Sequence, residues 1–236
     1  MEPVAANQVS CAVYMTDNNF NLIKNYFDAS DKAEGLRGGP YKRTEVGQFV
    51  PSPLLHLDAA FAHLISLGEI RSGSKFLDAG CGDARVLAVI SGTYAIESVG
   101  VEYDEEMAGK SAYNMKQLAE LGVMQARWKI IQGDFMDDKT YAESGVSFRQ
   151  FDVVFNYINN QRDIAAKVFE DSPSGTAFWL LGAFPVQGFQ GLQLERNLEL
   201  IQEDPDSPYI RVNDTEGQVL PTFGPDDLLL QLYRKA

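Results

Sequence analysis

Histidine and cysteine are nearly absent from this chain, with two of each in 236 residues. Cys11 and Cys81 are too few for a disulfide framework or a thiolate metal cluster, so a reducing, cytoplasmic setting is expected. His56 and His63 alone exclude a histidine-rich metal site, and no metal is expected. Positive charge is also scarce: 20 Lys and Arg stand against 33 Asp and Glu, a net charge of −13. Enzymes of bulk nucleic acid present basic surfaces, because phosphate contacts supply most of their non-specific affinity. Here the basic residues are scattered, with Lys42-Arg43 a small cluster, which argues against a bulk nucleic-acid partner. An acidic surface suits cationic partners instead, such as lysine-rich protein segments or polyamines. Long apolar runs are missing too. The longest, near Ala177 to Phe184, is too short to cross a bilayer, and no basic segment leads into an apolar stretch at the start. Neither a membrane span nor a secretory signal is expected.

What is present is an alternation of strand and helix patterns. Hydrophobic residues make up 45% of the chain, enough for a substantial core. Residues 1 to 17 carry few periodic signals and read as partly disordered. Phe20, Leu22, Ile23 and Phe27 predict a short amphipathic helix ending before Asp28, and Gly35 to Pro40 is loop chemistry. After Pro51 and Pro53, a helix carries Leu54, Leu57, Ala60, Phe61, Leu64 and Ile65 on one face and stops at Gly68, with His56 and His63 as boundary or surface residues. Strands then fall near 75–79, 97–102, 128–133, 151–157 and 176–182, enclosing helices near 84–92, 104–121 and 160–171. A helix near 190–202 follows, and two closing strands are drawn from Tyr209 to Val212 and from Leu228 to Tyr233, with Asp226-Asp227 as the turn before the second. This alternation predicts an α/β fold with a doubly wound, mostly parallel sheet and helices on both faces. Residues 1–50 form an N-terminal helical extension and residues 51–236 the main domain.

The most informative segment is Lys75-Phe-Leu-Asp-Ala-Gly-Cys-Gly-Asp-Ala-Arg85. An apolar strand ends in an acid, two glycines follow one residue apart, and a helix begins. Gly80 and Gly82 let a ligand approach the main chain at the crevice beyond the carboxyl ends of the strands. The dinucleotide fingerprint needs a third glycine where Arg85 stands, so pyrophosphate is disfavoured. Asp78 would repel phosphate but accept from an ammonium. Glu102, 20 residues beyond Gly82, ends the next strand, where a carboxylate can take both ribose hydroxyls. Trp128 to Phe135 forms a third strand ending in Asp134 beside an aromatic. Together these imply an adenosine carrying an amino-acid-like cation. Simpler roles compete for each acid: a turn or helix cap for Asp78, a helix N-terminus for Glu102 and a solvated loop for Asp134. Cys81 reads as a small filler rather than a nucleophile.

These residues resemble the class I S-adenosylmethionine-dependent methyltransferases, over roughly residues 50 to 182. The resemblance implies a seven-stranded sheet with an antiparallel last strand. It places Asp78, Gly80, Cys81 and Gly82 around the methionine part of S-adenosylmethionine and Glu102 on the ribose. It also sets Asp134 at the adenine amino group, with Tyr103 and Phe135 flanking the ring. The product would be S-adenosylhomocysteine.

Acceptor chemistry is sought after the fourth strand, where Asn156, Tyr157, Asn159 and Asn160 follow the buried run from Asp152 to Phe155. The amino-methylating DNA enzymes carry Asn/Asp-Pro-Pro-aromatic there. This chain has Asn156-Tyr157-Ile158, which counts against a base as acceptor. Gly47-Gln-Phe-Val-Pro-Ser52 resembles, more weakly, the loop of seven-strand protein lysine methyltransferases. The chain departs from them at Phe49 and at Asp83-Ala84-Arg85. A protein lysine is therefore the first expectation for the acceptor, with Asn156 and Tyr157 as the candidate catalytic pair orienting its lone pair. Asn156 would also touch cofactor. A small molecule is the alternative if residues 184–225 close as a lid, with Phe184, Phe189, Leu192, Leu194 and Phe223 as walls. A non-catalytic cofactor-binding module is the third reading. Tyr41, Phe49 and Val50 are expected to cover the cofactor, with Lys42 or Arg43 reaching its carboxylate. Equally, this arm could simply pack over the sheet.

Overall fold

A computed structural model describes residues 18–35, 42–44, 47–186, 188–204, 206–217 and 227–236. Their elements run α1 (Asn18–Ala33), β1 (Lys42–Thr44), β2 (Gly47–Phe49), α2 (Leu54–Ser66), β3 (Lys75–Ala79), α3 (Arg85–Ala88), β4 (Glu97–Glu102), α4 (Glu105–Glu120), β5 (Trp128–Gln132), α5 (Asp138–Glu143), β6 (Val153–Tyr157), α6 (Gln161–Asp171), β7 (Ala177–Gly182), β8 (Leu192–Ile201), β9 (Arg211–Glu216) and β10 (Leu228–Lys235). The expectations for residues 1 to 17, most of the Gly35–Pro40 loop, Tyr41, Phe223 and Asp226 lie outside the described residues. So does Cys11.

Alternation within the strands builds two cores from one sheet. Phe76, Val153, Phe155, Trp179 and Leu181 project to one face, and Leu77, Ala79, Val154, Phe178 and Leu180 to the other. Both faces are apolar, the pattern of a parallel sheet covered by helices on each side. On the first face Phe61 of α2 packs edge-on against Phe76 and Phe155, with ring centroids 5.9 and 6.0 Å away, and its centroid lies 6.0 Å from that of Trp179. Buried residues of α1, α2, α3 and α4 join this core. On the second face Tyr141 of α5 and Ile164, Ala165 and Val168 of α6 are buried. A fully buried aromatic or aliphatic side chain contributes about 1.5–3 kcal/mol, so each layer is held by many comparable contacts.

The main sheet has eight strands in the order β5-β4-β3-β6-β7-β10-β8-β9. The first five are parallel, and order reverses beside β3, which pairs with β4 on one side and β6 on the other. β10 runs antiparallel to β7, as expected, and also to β8, which pairs antiparallel with β9. The sheet is thus one strand larger than expected, because residues 192–201 are β8 and not a helix. Leu198 and Leu200 are fully buried two residues apart and lie opposite Leu230 and Leu228 of β10. A period of two with an apolar partner strand overrides the helical preference of Leu, Glu, Gln and Arg.

Two further corrections concern the start of the chain's described part. α1 does not stop before Asp28 but continues to Ala33, with Leu22 exposed while Phe20, Ile23 and Phe27 are buried. Lys24 and Asp28, one turn apart, pair at 2.5 Å and carry the helix through the polar stretch. The histidines of α2 are buried rather than superficial. β8 and β9 cover the face that the sequence left open: His63 Nε2 lies 2.8 Å from an Asp214 carboxylate oxygen, and Asp214 also accepts from Arg196 at 2.7 Å.

Candidate active site

The carboxyl ends of β3, β4 and β6 open into one cavity of about 790 Å³, its mouth included. Asp78, Gly80, Cys81, Gly82, Glu102, Tyr103, Phe135, Asn156 and Tyr157 all line it, so nine of the ten expected site residues meet there. Asp134 does not. It is exposed, and its Oδ1 accepts from the Met136 amide at 2.8 Å, an Asx turn that opens the loop after β5. Phe49 and Val50 also line the cavity. β1 and β2 pair as a short antiparallel hairpin that ends at Phe49.

The glycine turn is fastened group by group. The amides of Gly80 and Cys81 both donate to the Val101 carbonyl, at 2.9 and 3.0 Å. Gly82 N donates to Glu102 Oε2 at 2.9 Å, and the Ser111 hydroxyl donates to the Gly82 carbonyl. Asn114 Nδ2 donates to the Asp83 carbonyl at 3.0 Å. Gly82 has φ +56°, and an added Cβ would stand 2.7 Å from two ring carbons of Phe49. The ring therefore lies directly on the turn, an approach open only to glycine.

Glu102 and Asp78 differ in what they have left to give. Glu102 ends β4 with Oε2 on Gly82 N and Oε1 on Asp104 N at 3.0 Å. Burial raises its pKa while those amide bonds lower it, with a net rise. Asp104, not Glu102, caps α4 by accepting from Met107 N at 2.9 Å. Asp78 is 2% exposed and lines the cavity. Burial, reinforced by Glu102 and Asp83, pushes its carboxyl well above the ordinary range. A carboxylate buried this deeply is costly to ionise unless a cation or donor comes to it. Neither the cap nor the turn role that competed for Asp78 is observed. Cys81 is likewise raised by burial, which removes it as a nucleophile.

The strand-end cluster after β6 adds an unpaired acceptor. Asn156 Nδ2 donates to the Ala79 carbonyl at 2.9 Å, while its buried Oδ1 has no partner among the described residues. Tyr157 is half-buried, and burial raises its phenol. The chain then turns sharply: Ile158 has φ +69° and the Asn159 amide donates to the Tyr157 carbonyl at 2.9 Å. This is a γ-turn of the strained positive-φ kind, costly for a β-branched residue. Asn159 and Asn160 line the cavity beyond it. Sequence reasoning missed Ser52, Asp83, Arg85 and Met107 as lining residues. Ser52 stood in the loop likened to the lysine methyltransferases and Asp83-Ala84-Arg85 among the departures from them; Met107 carried no signal.

Of the walls expected for a closed small-molecule lid, the four within the described residues are elsewhere. Phe189, Leu192 and Leu194 pack into the core on the second face of the sheet, and Phe184 is 78% exposed. No group of histidine, cysteine and acid side chains suited to a metal occurs among the described residues. No described helix is long and apolar enough to cross a membrane.

Comparison with known proteins agrees with this geometry. The family model of the methionine biosynthesis protein MetW matches residues 60–138, about a third of the chain and the part that holds the first three motifs. No curated protein matches. Among solved structures, a mutant of MtNAS in complex with S-adenosylmethionine aligns with a TM-score of 0.53 at 15% identity, covering 92% of this chain and 72% of that one. A putative RNA methyltransferase from Pyrococcus horikoshii aligns with a TM-score of 0.52 at 15% identity, covering 90% and 98%. The fold is that of the class I S-adenosylmethionine-dependent methyltransferases, and the cavity occupies the carboxyl ends of its parallel strands.

Proposed function

We propose that this protein transfers the methyl group of S-adenosylmethionine to an amine, and that the acceptor is a protein lysine side chain. One observation carries the reading: the buried Asp78, at the carboxyl end of β3, lines one cavity together with Gly80, Gly82, Glu102, Tyr103 and Phe135. These residues fit the cofactor's chemistry. Asp78 offers its charge to the α-ammonium, Glu102 its remaining lone pairs to the ribose, and Tyr103 and Phe135 their rings to adenine. Asp134, outside the cavity lining and held in its turn, would reach the adenine amino group only at the cavity's edge.

S-Adenosylmethionine supplies an electrophilic methyl carbon on a sulfonium that leaves as a thioether. The protein's part is to hold a neutral amine in line with that carbon and to exclude water. Asn156 Oδ1, fixed through Nδ2 on the Ala79 carbonyl, accepts from an amine N–H and turns the lone pair toward the methyl. Tyr157 stays a neutral phenol and gives the amine a second oriented contact. The incoming ammonium would first give a proton to bulk water before the site closes on it; the nitrogen would then take the methyl as the S–C bond breaks, and the product would leave as a methylammonium.

The charge of the cavity supports an amine. Asp78, Asp83 and Glu102 line it, and its one lining cation among the described residues, Arg85, is spent on Asp83 and Asp31. A phosphate-bearing acceptor would find no free cation among the described lining residues. With residues 192–201 and 211–216 committed to the sheet, much of the segment expected as a lid is not available to close over a small molecule, which favours a side chain entering from a large partner.

Transfer of labelled methyl from S-adenosylmethionine into a cell lysate, fractionated into protein, nucleic acid and small molecules, tests the reading. A labelled protein band that hydrolyses to methyl-lysine and is lost with Asp78→Ala is the expected result. Label confined to small molecules or nucleic acid overturns the acceptor. Unchanged turnover in the Asn156→Ala, Tyr157→Phe double variant overturns the catalytic pair.

A further inference from the structure

α1 lies outside the alternating strand–helix units, yet its side chains reach the glycine turn by three routes. Asp31 accepts from Arg85 Nη1 at 3.2 Å and Nη2 at 2.8 Å. The same guanidinium grips Asp83 through Nε at 3.0 and 3.1 Å and through Nη2 at 2.6 Å, and its carbon lies 5.0 Å from the centre of the Phe27 ring. Tyr26 donates to Asn114 Oδ1 at 2.9 Å, and Asn114 in turn donates to the Asp83 carbonyl. Glu34, just past the helix end, pairs at 2.7 Å with Lys110, whose ammonium stands 5.9 Å from the centre of the Phe49 ring. The routes end on the Asp83 carboxylate, the Asp83 carbonyl and the ring that lies on Gly82.

The local backbone explains why such support is needed. Gly80, Gly82 and Ala84 have φ of +86°, +56° and +68° within five residues. For Ala84 this is an uphill conformation, kept only where its surroundings over-determine it. Asp83 and Arg85 are 1% and 5% exposed, so their ions are desolvated and hold their places only as a completed set. Arg85 occupies the position where a dinucleotide site has its third glycine. It replaces close helix–strand packing with a charged anchor into α1.

We propose that α1 is a brace for the cofactor turn, with Tyr26, Asp31 and Glu34 as positioning residues acting through Asn114, Arg85 and Lys110. The inference rests on the cofactor reading above for its functional consequence, but not for its structural one. Removing the Asp31 charge leaves Arg85 held from one side, and the turn samples conformations that cannot receive the cofactor. The loss falls on cofactor affinity and KM, while kcat at saturating cofactor is retained.

The test uses Asp31→Asn, with Asp31→Glu as the conservative rescue. Asp31 does not line the cavity, and its side chain is 22% exposed, so the variant is expected to fold. Two quantities are measured: amide hydrogen exchange of residues 80–84 without ligand, and the Kd for S-adenosylmethionine by calorimetry. Exchange about tenfold faster and Kd about tenfold weaker in Asp31→Asn, with unchanged exchange in β6 and recovery in Asp31→Glu, is the expected result, a tenfold change being one step on the affinity scale. Unchanged exchange at residues 80–84, with or without a lower Tm, reduces α1 to packing and overturns the brace. Failure of the unsubstituted protein to bind S-adenosylmethionine overturns the proposed function instead, while the exchange comparison still decides the brace.

Discussion

Asp78 concentrates a conflict between stability and binding in one side chain. Its carboxyl is raised well above the ordinary value of 3.8 by burial, so the folded protein holds a proton that the unfolded chain has released. Stability therefore falls as pH rises from about that value toward the folded pKa. Asp78→Asn removes the liability: at neutral pH its Tm without ligand should rise by about 2–4 °C, the worth of 1 kcal/mol in a chain of this size. Its affinity for S-adenosylmethionine should drop at least about tenfold. His56 has the opposite sign. Burial lowers it from 6.5 to about 4, both ring nitrogens lacking a partner among the described residues. The unfolded chain gains a proton that the folded one refuses, so stability present above pH 6.5 is lost as pH falls toward 4. His56→Leu should flatten that limb by up to about 3 kcal/mol, measured as urea stability against pH. Asp78 was legible in the sequence because an acid between a strand and two glycines has few other uses. The burial of His56 was not, since it depends on which strands cover α2.

At the scale of elements, the parallel half of the fold was readable and the antiparallel half only partly so. β3, β4, β6 and β7 fall within two residues of their expected bounds, because an apolar run, a turn and an amphipathic helix repeat in order. Residues 192–201 defeated the same method. Their leucines fit a period of two, but Glu195, Arg196, Asn197 and Glu199 dilute it, and what decides the matter is β10, some 30 residues later. The strained turn after β6 was likewise invisible, since nothing marks Ile158 for a positive φ. In the glycine turn the two glycines separate cleanly. An added Cβ meets nothing within 4 Å at Gly80 but two carbons of the Phe49 ring at 2.7 Å at Gly82. Gly80→Ala should cost only the backbone strain, about 1–2 kcal/mol by thermal melts. Gly82→Ala should cost that and also lift Phe49, with quenching studies or a crystal structure showing the ring displaced. Equal effects of the two substitutions would refute the cover assigned to Phe49.

Across the whole molecule, a net charge of −13 should act on encounter more than on chemistry. With a lysine-rich peptide as acceptor, kcat/KM should fall several-fold between low salt and about 0.3 M, where screening shortens the reach of exposed charge below about 10 Å. kcat should hold steady, and an uncharged acceptor should show no such slope; stopped-time assays across a salt series read both. The charge was plain in the composition, but its partner was not, because a surface field names a sign and not a molecule. The strand order carries a different consequence. β10 comes last in sequence among the strands yet lies between β7 and β8. During synthesis, therefore, the parallel sheet and the β8–β9 pair each wait with a bare edge of unpaired amides and carbonyls, and residues 228–235 are the splice that joins them. A nascent chain stalled before that splice offers two templates for pairing with its neighbours, so the hazard of aggregation is set by how late one eight-residue segment arrives.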